Sequence, residues 1–266
     1  MSETTDKKKK NKKASKKDLA QVVLDQGWAS DLKHAASLIL AGEVFVNEQK
    51  ITHAGFKIND EDHIRVKERS RFVGRGGEKL FGVIEHFHLK ESFLQKSALD
   101  IGSSTGGFTD CMLSLGLTHA ICVDVGTNQL AWKLRQDTRV SVFEKTDVRT
   151  MPWDFLGDRQ LDWVVVDVSF ISVRFVLESL MDRCPGLRNC QALVLFKPQF
   201  EVDSSQVPEG GVVRDTQQID DACMRFQSWL SQRKEVSQVQ MTKSKVKGRD
   251  GNQEYFFFFK WNVRGL

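Results

Sequence analysis

The run Leu99-Asp100-Ile101-Gly102-Ser103-Ser104-Thr105-Gly106-Gly107-Phe108 constrains this chain more than any other stretch. Apolar residues of strand character pass directly into a glycine-rich turn and then into an apolar helix. Such a turn lets backbone approach a ligand closely and aims the N–H groups of the helix at it. The alternation continues. Ala98–Ile101, Ala120–Asp124, Val140–Phe143, Asp162–Val166 and Ala192–Phe196 read as strands, with helical stretches at Phe108–Leu115, Asn128–Arg135 and Val173–Asp182. Continuous apolar strands separated by helices predict an α/β fold, a doubly wound parallel sheet covered on both faces. Val236–Met241 and Glu254–Phe259, joined by a short basic connection, predict an antiparallel pair at its edge.

Upstream of this sheet the chain is different. Leu19, Val22 and Val23 share one helical face, and Leu32, Ala35, Ala36, Ile39 and Leu40 share another, with Ser30 as the expected cap of the second helix. Val44–Val46, Ile51, Ile58, Ile64 and Val66 then read as short strands. Residues 18–66 are therefore expected to form a small α+β domain. Residues 67–79, rich in arginine, lysine and glycine, read as a basic linker, and residues 80–266 as the large domain. Residues 1–17 hold eight lysines against Glu3 and Asp6, so this segment carries more positive charge than the whole chain's net +4 and the remainder is slightly acidic. It has no apolar periodicity and reads as a disordered tail suited to nonspecific contact with phosphates.

Several classes are excluded at the outset. No apolar run approaches the roughly 18 residues of a spanning helix. No apolar segment follows the N-terminal lysines as a secretory signal would require. The five cysteines form no C-x-x-C pair, which predicts reduced thiols and a cytoplasmic protein. His86 and His88 have no further ligand at metal-binding spacing, so no metal site is expected.

The turn spacing is G-x-x-x-G-G, not the G-x-G-x-x-G of dinucleotide sites. Asp124 stands 22 residues after Gly102 at the end of the second strand, where a carboxylate can accept both ribose hydroxyls of an adenosine. Asp147, after the third strand, is the candidate for the adenine amino group. Without a pyrophosphate fingerprint, the expected cofactor is S-adenosyl-L-methionine, held by the turn from Asp100 to Phe108 together with Asp124 and Asp147. Lys197 and Asp167 close two apolar strands, Glu254 opens the last one, and Lys79 lies in the glycine-rich segment before the sheet. Strand ends are the rim where α/β sheets bind ligands. Two lysines and two carboxylates gathered there could take a proton from a sugar hydroxyl. No N/D-P-P-Y/F/W run follows the fourth strand, and no cysteine stands at the end of the fourth or fifth. Amine methylation and covalent cysteine chemistry are thus disfavoured, leaving a hydroxyl acceptor. Pro208–Gly211 reads either as a lid near this rim or as an ordinary surface loop.

Arg75-Gly76-Gly77-Glu78-Lys79-Leu80, Asp100 to Asp110, Asp124 to Leu130, Asp167-Val168-Ser169-Phe170-Ile171-Ser172 and Lys197-Pro198-Gln199-Phe200-Glu201 together resemble the TlyA family. The resemblance implies an S-four-type RNA-binding domain joined to an FtsJ-like methyltransferase domain. It further implies S-adenosyl-L-methionine-dependent 2′-O-methylation of ribosomal RNA, with cytidine as the acceptor and ribosomal RNA or subunits as partners. The Lys-Asp-Lys-Glu tetrad of that family falls on Lys79, Asp167, Lys197 and Glu254. Where the family's small domain carries arginines at its two helix starts, this chain has Asp18 and Asp31, which reverses the sign of any phosphate contact. Two other readings stand beside this one. The first is an RNA- or ribosome-binding assembly factor that does not turn over. The second is a membrane-acting haemolysin, a name some relatives carry.

Overall fold

The computed structural model describes residues 16–67, 71–156, 160–184, 187 and 189–262. The chain divides into two compact units, Met1–Arg69 and Ser70–Leu266. Most of the lysine-rich segment, residues 1–15, lies outside the described residues. Lys17 does not continue a tail. It opens a short strand, β1 (Lys17–Asp18).

In the first unit, α1 (Leu19–Asp25) and α2 (Leu32–Leu40) pack on β2 (Val44–Val46) through Leu19, Val23, Ala35, Leu38, Ile39, Val44 and Val46, all buried. β2 is the centre of a three-stranded antiparallel sheet between β3 (Gln49–Ile51) and β5 (Ile64–Val66), while β1 pairs with β4 (Lys57–Ile58). The expected cap of α2 shifts by one residue. Asp31, not Ser30, accepts the His34 N–H, at 2.8 Å. Asp18 stands 2.8 Å from the Lys57 ammonium. Both acidic departures from the family pattern therefore have local partners within the unit.

In the second unit the expected linker gives way to a helix. The backbone from Arg75 to His86 forms α3, with Lys79, Leu80, Val83 and Ile84 on its buried side. Gly77 reflects crowding, not irregularity: a Cβ there would overlap Phe72. A seven-stranded sheet follows. Its members in chain order are β6 (Ser97–Ile101), β7 (His119–Val123), β8 (Val140–Phe143), β9 (Trp163–Val166), β10 (Cys190–Phe196), β11 (Val236–Lys243) and β12 (Tyr255–Trp261). Its spatial order is β11-β12-β10-β9-β6-β7-β8. The pairings among β6 to β10 are parallel. β12 runs antiparallel between β10 and β11, so the expected edge pair is one edge strand and one buried strand.

Alternation along the strands sorts the core into two layers. Leu99, Ile121, Val164, Val194 and Phe257 face α6 (Val173–Arg183) and α7 (Thr216–Ser231). Ala98, Ala120, Val165, Leu193 and Phe256 face α3, α4 (Gly107–Ser114) and α5 (Trp132–Arg135). α5 is shorter than expected because Asn128 adopts a φ of 54° and the Asn128 and Gln129 N–H groups donate to Glu144. Among the described residues, no helix is long and apolar enough to cross a membrane, and no group of three or more His, Cys, Asp or Glu residues could hold a metal ion.

Candidate active site

The turn after β6 is built by backbone geometry. Gly102 has a φ of 76°, and a Cβ there would overlap the carbonyl oxygen of Asp167 on the adjacent chain segment. Only glycine allows that approach in this conformation. Ser104 shares the left-handed region at 47°, and its N–H donates to Asp124 Oδ2 at 2.8 Å. Asp124 Oδ1 accepts the Gly126 N–H at 2.7 Å. The acidic residue that follows β7 thereby fixes two turns while partly exposed at the smaller cavity.

Of the cavities along the carboxyl edge of the sheet, two adjoin the glycine turn. The smaller, about 300 Å³, is bordered by Gly102, Ser104, Asp124, Asp147, Val148 and Ile171. Asp147 lies there with its carboxylate already engaged by Arg149, at 2.6 to 3.1 Å, which holds it below the usual carboxylate range. The larger, about 750 Å³, is bordered by the other turn residues Asp100, Ser103, Thr105, Gly107 and Phe108, and by Lys79, Asp167, Lys197 and Glu254. Gly102, Ser104 and Asp167 belong to both. Gly106 borders neither cavity. It starts α4, packed so closely on Leu130 and Leu134 that a Cβ would overlap both.

The four residues expected at the rim form two ion pairs in the larger cavity. Lys79 Nζ donates to Glu254 Oε2 at 2.5 Å, and both side chains are buried. Lys197 Nζ lies 2.6 Å from Asp167 Oδ1, an ion pair without hydrogen-bond alignment. The aligned bond from Lys197 Nζ goes to Ser169 Oγ at 2.9 Å. Each lysine therefore reaches the cavity with its terminal nitrogen held by a carboxylate from a different element. Lys79 comes from α3 and Glu254 from the residue before β12, whereas Asp167 follows β9 and Lys197 follows β10.

Asp100 is fully buried. Its Oδ2 accepts from Thr109 N–H at 3.1 Å and Thr109 Oγ–H at 2.6 Å, while Oδ1 is buried without a partner at the larger cavity. Burial, aided by the nearby charges of Asp167 and Asp124, raises its pKa to about 7 against the opposing Thr109 bonds. An unpartnered buried carboxyl oxygen beside the glycine turn suits a cationic amine on a ligand. Ser169 and Glu201 were absent from the expected site. Glu201 has its pKa raised to about 7 by burial, although it accepts two hydrogen bonds. Gly211 of the expected loop borders the larger cavity, and its carbonyl is held by Asn252 Nδ2 at 2.9 Å.

A doubly wound sheet with paired cavities at the carboxyl ends of its strands, one floored by a glycine turn, puts the large unit in the class of Rossmann-like α/β folds. The FtsJ-like methyltransferase family matches residues 72–261. YqxC of Bacillus subtilis is 39% identical over 254 residues, 94% of this chain and 88% of that one. TlyA of Mycobacterium tuberculosis, named a 16S/23S rRNA (cytidine-2′-O)-methyltransferase, is 37% identical over 242 residues, 88% of this chain and 86% of its own. A solved Streptococcus thermophilus structure that carries a hemolysin name superposes with a TM-score of 0.69 at 31% identity, covering 93% of this chain and 89% of that one. The chain belongs to the FtsJ-like methyltransferases and, among them, to the TlyA family.

Proposed function

We propose that this protein methylates ribose 2′-hydroxyl groups of ribosomal RNA in the cytoplasm, with cytidine as acceptor and S-adenosyl-L-methionine as methyl donor. The observation that carries the reading is the meeting of the Lys79–Glu254 and Lys197–Asp167 pairs in one cavity that adjoins the glycine turn. The name of the Mycobacterium tuberculosis relative supports the acceptor.

S-adenosyl-L-methionine, when bound, supplies a methyl group on a sulfonium centre open to a nucleophile. The residues present fit it. Asp124 offers acceptors for ribose hydroxyls, the smaller cavity has room for a nucleoside, and the unpartnered Asp100 Oδ1 suits the amino group. A ribose hydroxyl attacks only as its proton leaves, so a base must stand within hydrogen-bond reach. Lys197 is that base. Asp167, at 2.6 Å, balances the ammonium formed, and Ser169 fixes the direction of the amine. Lys79, held by Glu254, sets a positive charge beside the oxygen that loses its proton. Alignment of the hydroxyl with the methyl carbon supplies much of the rest. Residues 18–66, with the lysine-rich segment before them, serve as the RNA-binding part, and the second unit, which begins before α3 and includes Lys79, as the methyltransferase part.

The test is transfer of labelled methyl groups to ribosomal subunits lacking the modification, followed by mass mapping of the nucleotide. A 2′-O-methylcytidine is expected. Tight RNA binding with no transfer would instead identify a binding factor, and leakage of pure lipid vesicles a membrane-acting protein.

A further inference from the structure

Glu201 ends the Lys197-Pro198-Gln199-Phe200-Glu201 run and has no part in the chemistry derived above. Its side chain nevertheless bridges the two loops that carry the Lys197 pair. Oε2 accepts from Ser172 Oγ–H at 2.7 Å, and Oε1 accepts the Val173 N–H at 2.7 Å. Ser172 is the N-cap of α6 and closes the loop that starts at Asp167. Glu201 itself is tied to the Lys197 end through a short helical turn, with Phe200 N–H on Lys197 O at 2.9 Å and Glu201 N–H on Pro198 O at 3.0 Å.

The six-residue loop 167–172 has a reason to need such a tie. It holds Asp167 and Ser169, the two partners of Lys197. It also contains Phe170, a non-glycine residue at a φ of 65° that is 91% exposed and meets the other loop through the Phe200 ring, 5.3 Å away between centroids, so its own anchoring is a contact at the surface. An ordinary carboxylate at a helix start would be solvated and would stabilise only that helix. Glu201 is half-buried and reaches the helix start from a different strand end, so its bonds fix the distance between two loops as well as capping α6.

We propose that Glu201 is a positioning residue for methyl transfer, clamping the Asp167–Ser172 loop to the Lys197 strand end so that Asp167 and Ser169 stay in register with the Lys197 amine. The proposal rests on the RNA-methylation reading for its kinetic consequence but not for the clamp itself. Glu201→Ala removes both acceptors. Glu201→Gln keeps the shape, since its carboxamide oxygen can accept the Val173 N–H and its NH₂ can donate to Ser172 Oγ. Ser172→Ala removes half of the clamp and leaves the cavity lining otherwise intact.

Hydrogen exchange and kinetics are measured on the full chain. In Glu201→Ala, peptides covering 167–172 should exchange faster than in wild type, and turnover should fall between about ten- and a hundred-fold, the range expected when a catalytic group is slightly misplaced. Cofactor affinity and the KM for RNA should stay near wild type. Glu201→Gln should recover most of the turnover. Glu201 and Ser169 do not touch, so a purely structural Glu201 would give additive losses with Ser169→Ala. A positioning Glu201 gives a double variant no worse than the poorer single one. Unchanged exchange over 167–172, additive losses, or a Glu201→Gln variant as slow as Glu201→Ala would each overturn the clamp. If Glu201→Ala does not fold, Ser172→Ala and Glu201→Gln carry the same comparisons. A wild-type chain that methylates no RNA would defeat the proposed function, and the exchange measurement would still decide the clamp.

Discussion

The two lysines of the cavity do different work because their surroundings differ. Lys79 is buried against a buried carboxylate, whereas Lys197 meets a carboxylate that is partly open and a hydroxyl that turns its amine. Lys197→Ala should therefore abolish methyl transfer, a loss of about a hundred-fold or more, the usual contribution of a general base. Lys197→Arg should fail as well, because guanidinium keeps its proton. Substantial turnover by the arginine variant would make residue 197 a positioning cation and remove the lysine base. Lys79→Ala should cost stability in addition to activity, on the order of 3 kcal/mol, because it leaves the Glu254 charge buried without its partner. Asp100 gives a pH signature. Its pKa in the folded chain is about 7, above the ordinary aspartate value of 3.8. The native state then holds a proton that the unfolded chain has lost. This contribution to stability is complete below about pH 4 and disappears as the pH rises through about 7. Asp100→Asn should therefore gain stability relative to wild type across that window, by a few kcal/mol at its upper end. Urea unfolding at pH 5 and pH 8 measures it, and an equal difference at both would show that the carboxyl is not desolvated. An amine bound at the free Oδ1 should also expel the proton, so cofactor binding at pH 6 should release protons in wild type and not in Asp100→Asn.

Elements built on a clean apolar period were legible in the sequence, and those shaped by packing against another segment were not. β6 to β10 run as mainly apolar stretches, because parallel strands are covered on both faces, and each expected range agrees with the observed one to within about two residues. α3 was hidden. Gly74, Gly76 and Gly77 look like breakers, yet Gly77 is there to let Phe72 lie on the helix, and the apolar face only emerges from Lys79 onward. α7 carries a legible helical pattern in Ile219, Ala222, Cys223, Phe226, Trp229 and Leu230 that the strand-by-strand expectation lacks. At the site, Lys197 and Asp167 could be placed because they terminate apolar strands. Ser169 and Glu201 could not, since their roles depend on two loops from different strand ends meeting. The glycine turn was legible as a motif, but the reason for its first glycine is tertiary. Gly102→Ala tests this at the level of the element. A methyl group at a φ of 76° pressed on the Asp167 carbonyl should move the β6 turn away from the β9 loop. The expected cost is about 2–3 kcal/mol, from backbone strain plus overpacking. Urea unfolding should show a lower midpoint at unchanged slope, and a loss below about 0.5 kcal/mol would mean that the turn adapts.

Across the whole molecule the charge is divided unevenly. The lysine-rich first 17 residues are strongly basic, and the remaining chain has 31 basic and 33 acidic residues. A chain that is nearly neutral beyond its first segment cannot draw much RNA affinity from net charge there, so the sequence-independent part of binding should be concentrated at the N-terminus. The small unit adds little to it at the two family positions. Asp18 is taken up by Lys57, and Asp31 caps α2. The two acidic positions are therefore unequal as targets for charge reversal. Asp18→Arg exchanges a surface ion pair for repulsion with Lys57 but keeps α1, whereas Asp31→Arg also removes the acceptor for the His34 N–H and should loosen the start of α2. Asp18→Arg is the cleaner probe of whether this surface faces RNA, and it should raise affinity if it does. The decisive comparison uses deletion of residues 2–15, which removes six lysines and only two acidic residues. Cofactor binding should be unchanged, because the turn, Asp124 and both cavities belong to the second unit. RNA affinity at low salt should fall, and the plot of log affinity against log salt should flatten by roughly one unit for each phosphate that the lysines no longer neutralise. Fluorescence anisotropy with a ribosomal RNA fragment at several salt concentrations measures both quantities. If the slope stays that of wild type, the N-terminal lysines do not touch phosphate, and RNA recognition lies with the small unit, the basic residues between the units and the rim of the catalytic cavity.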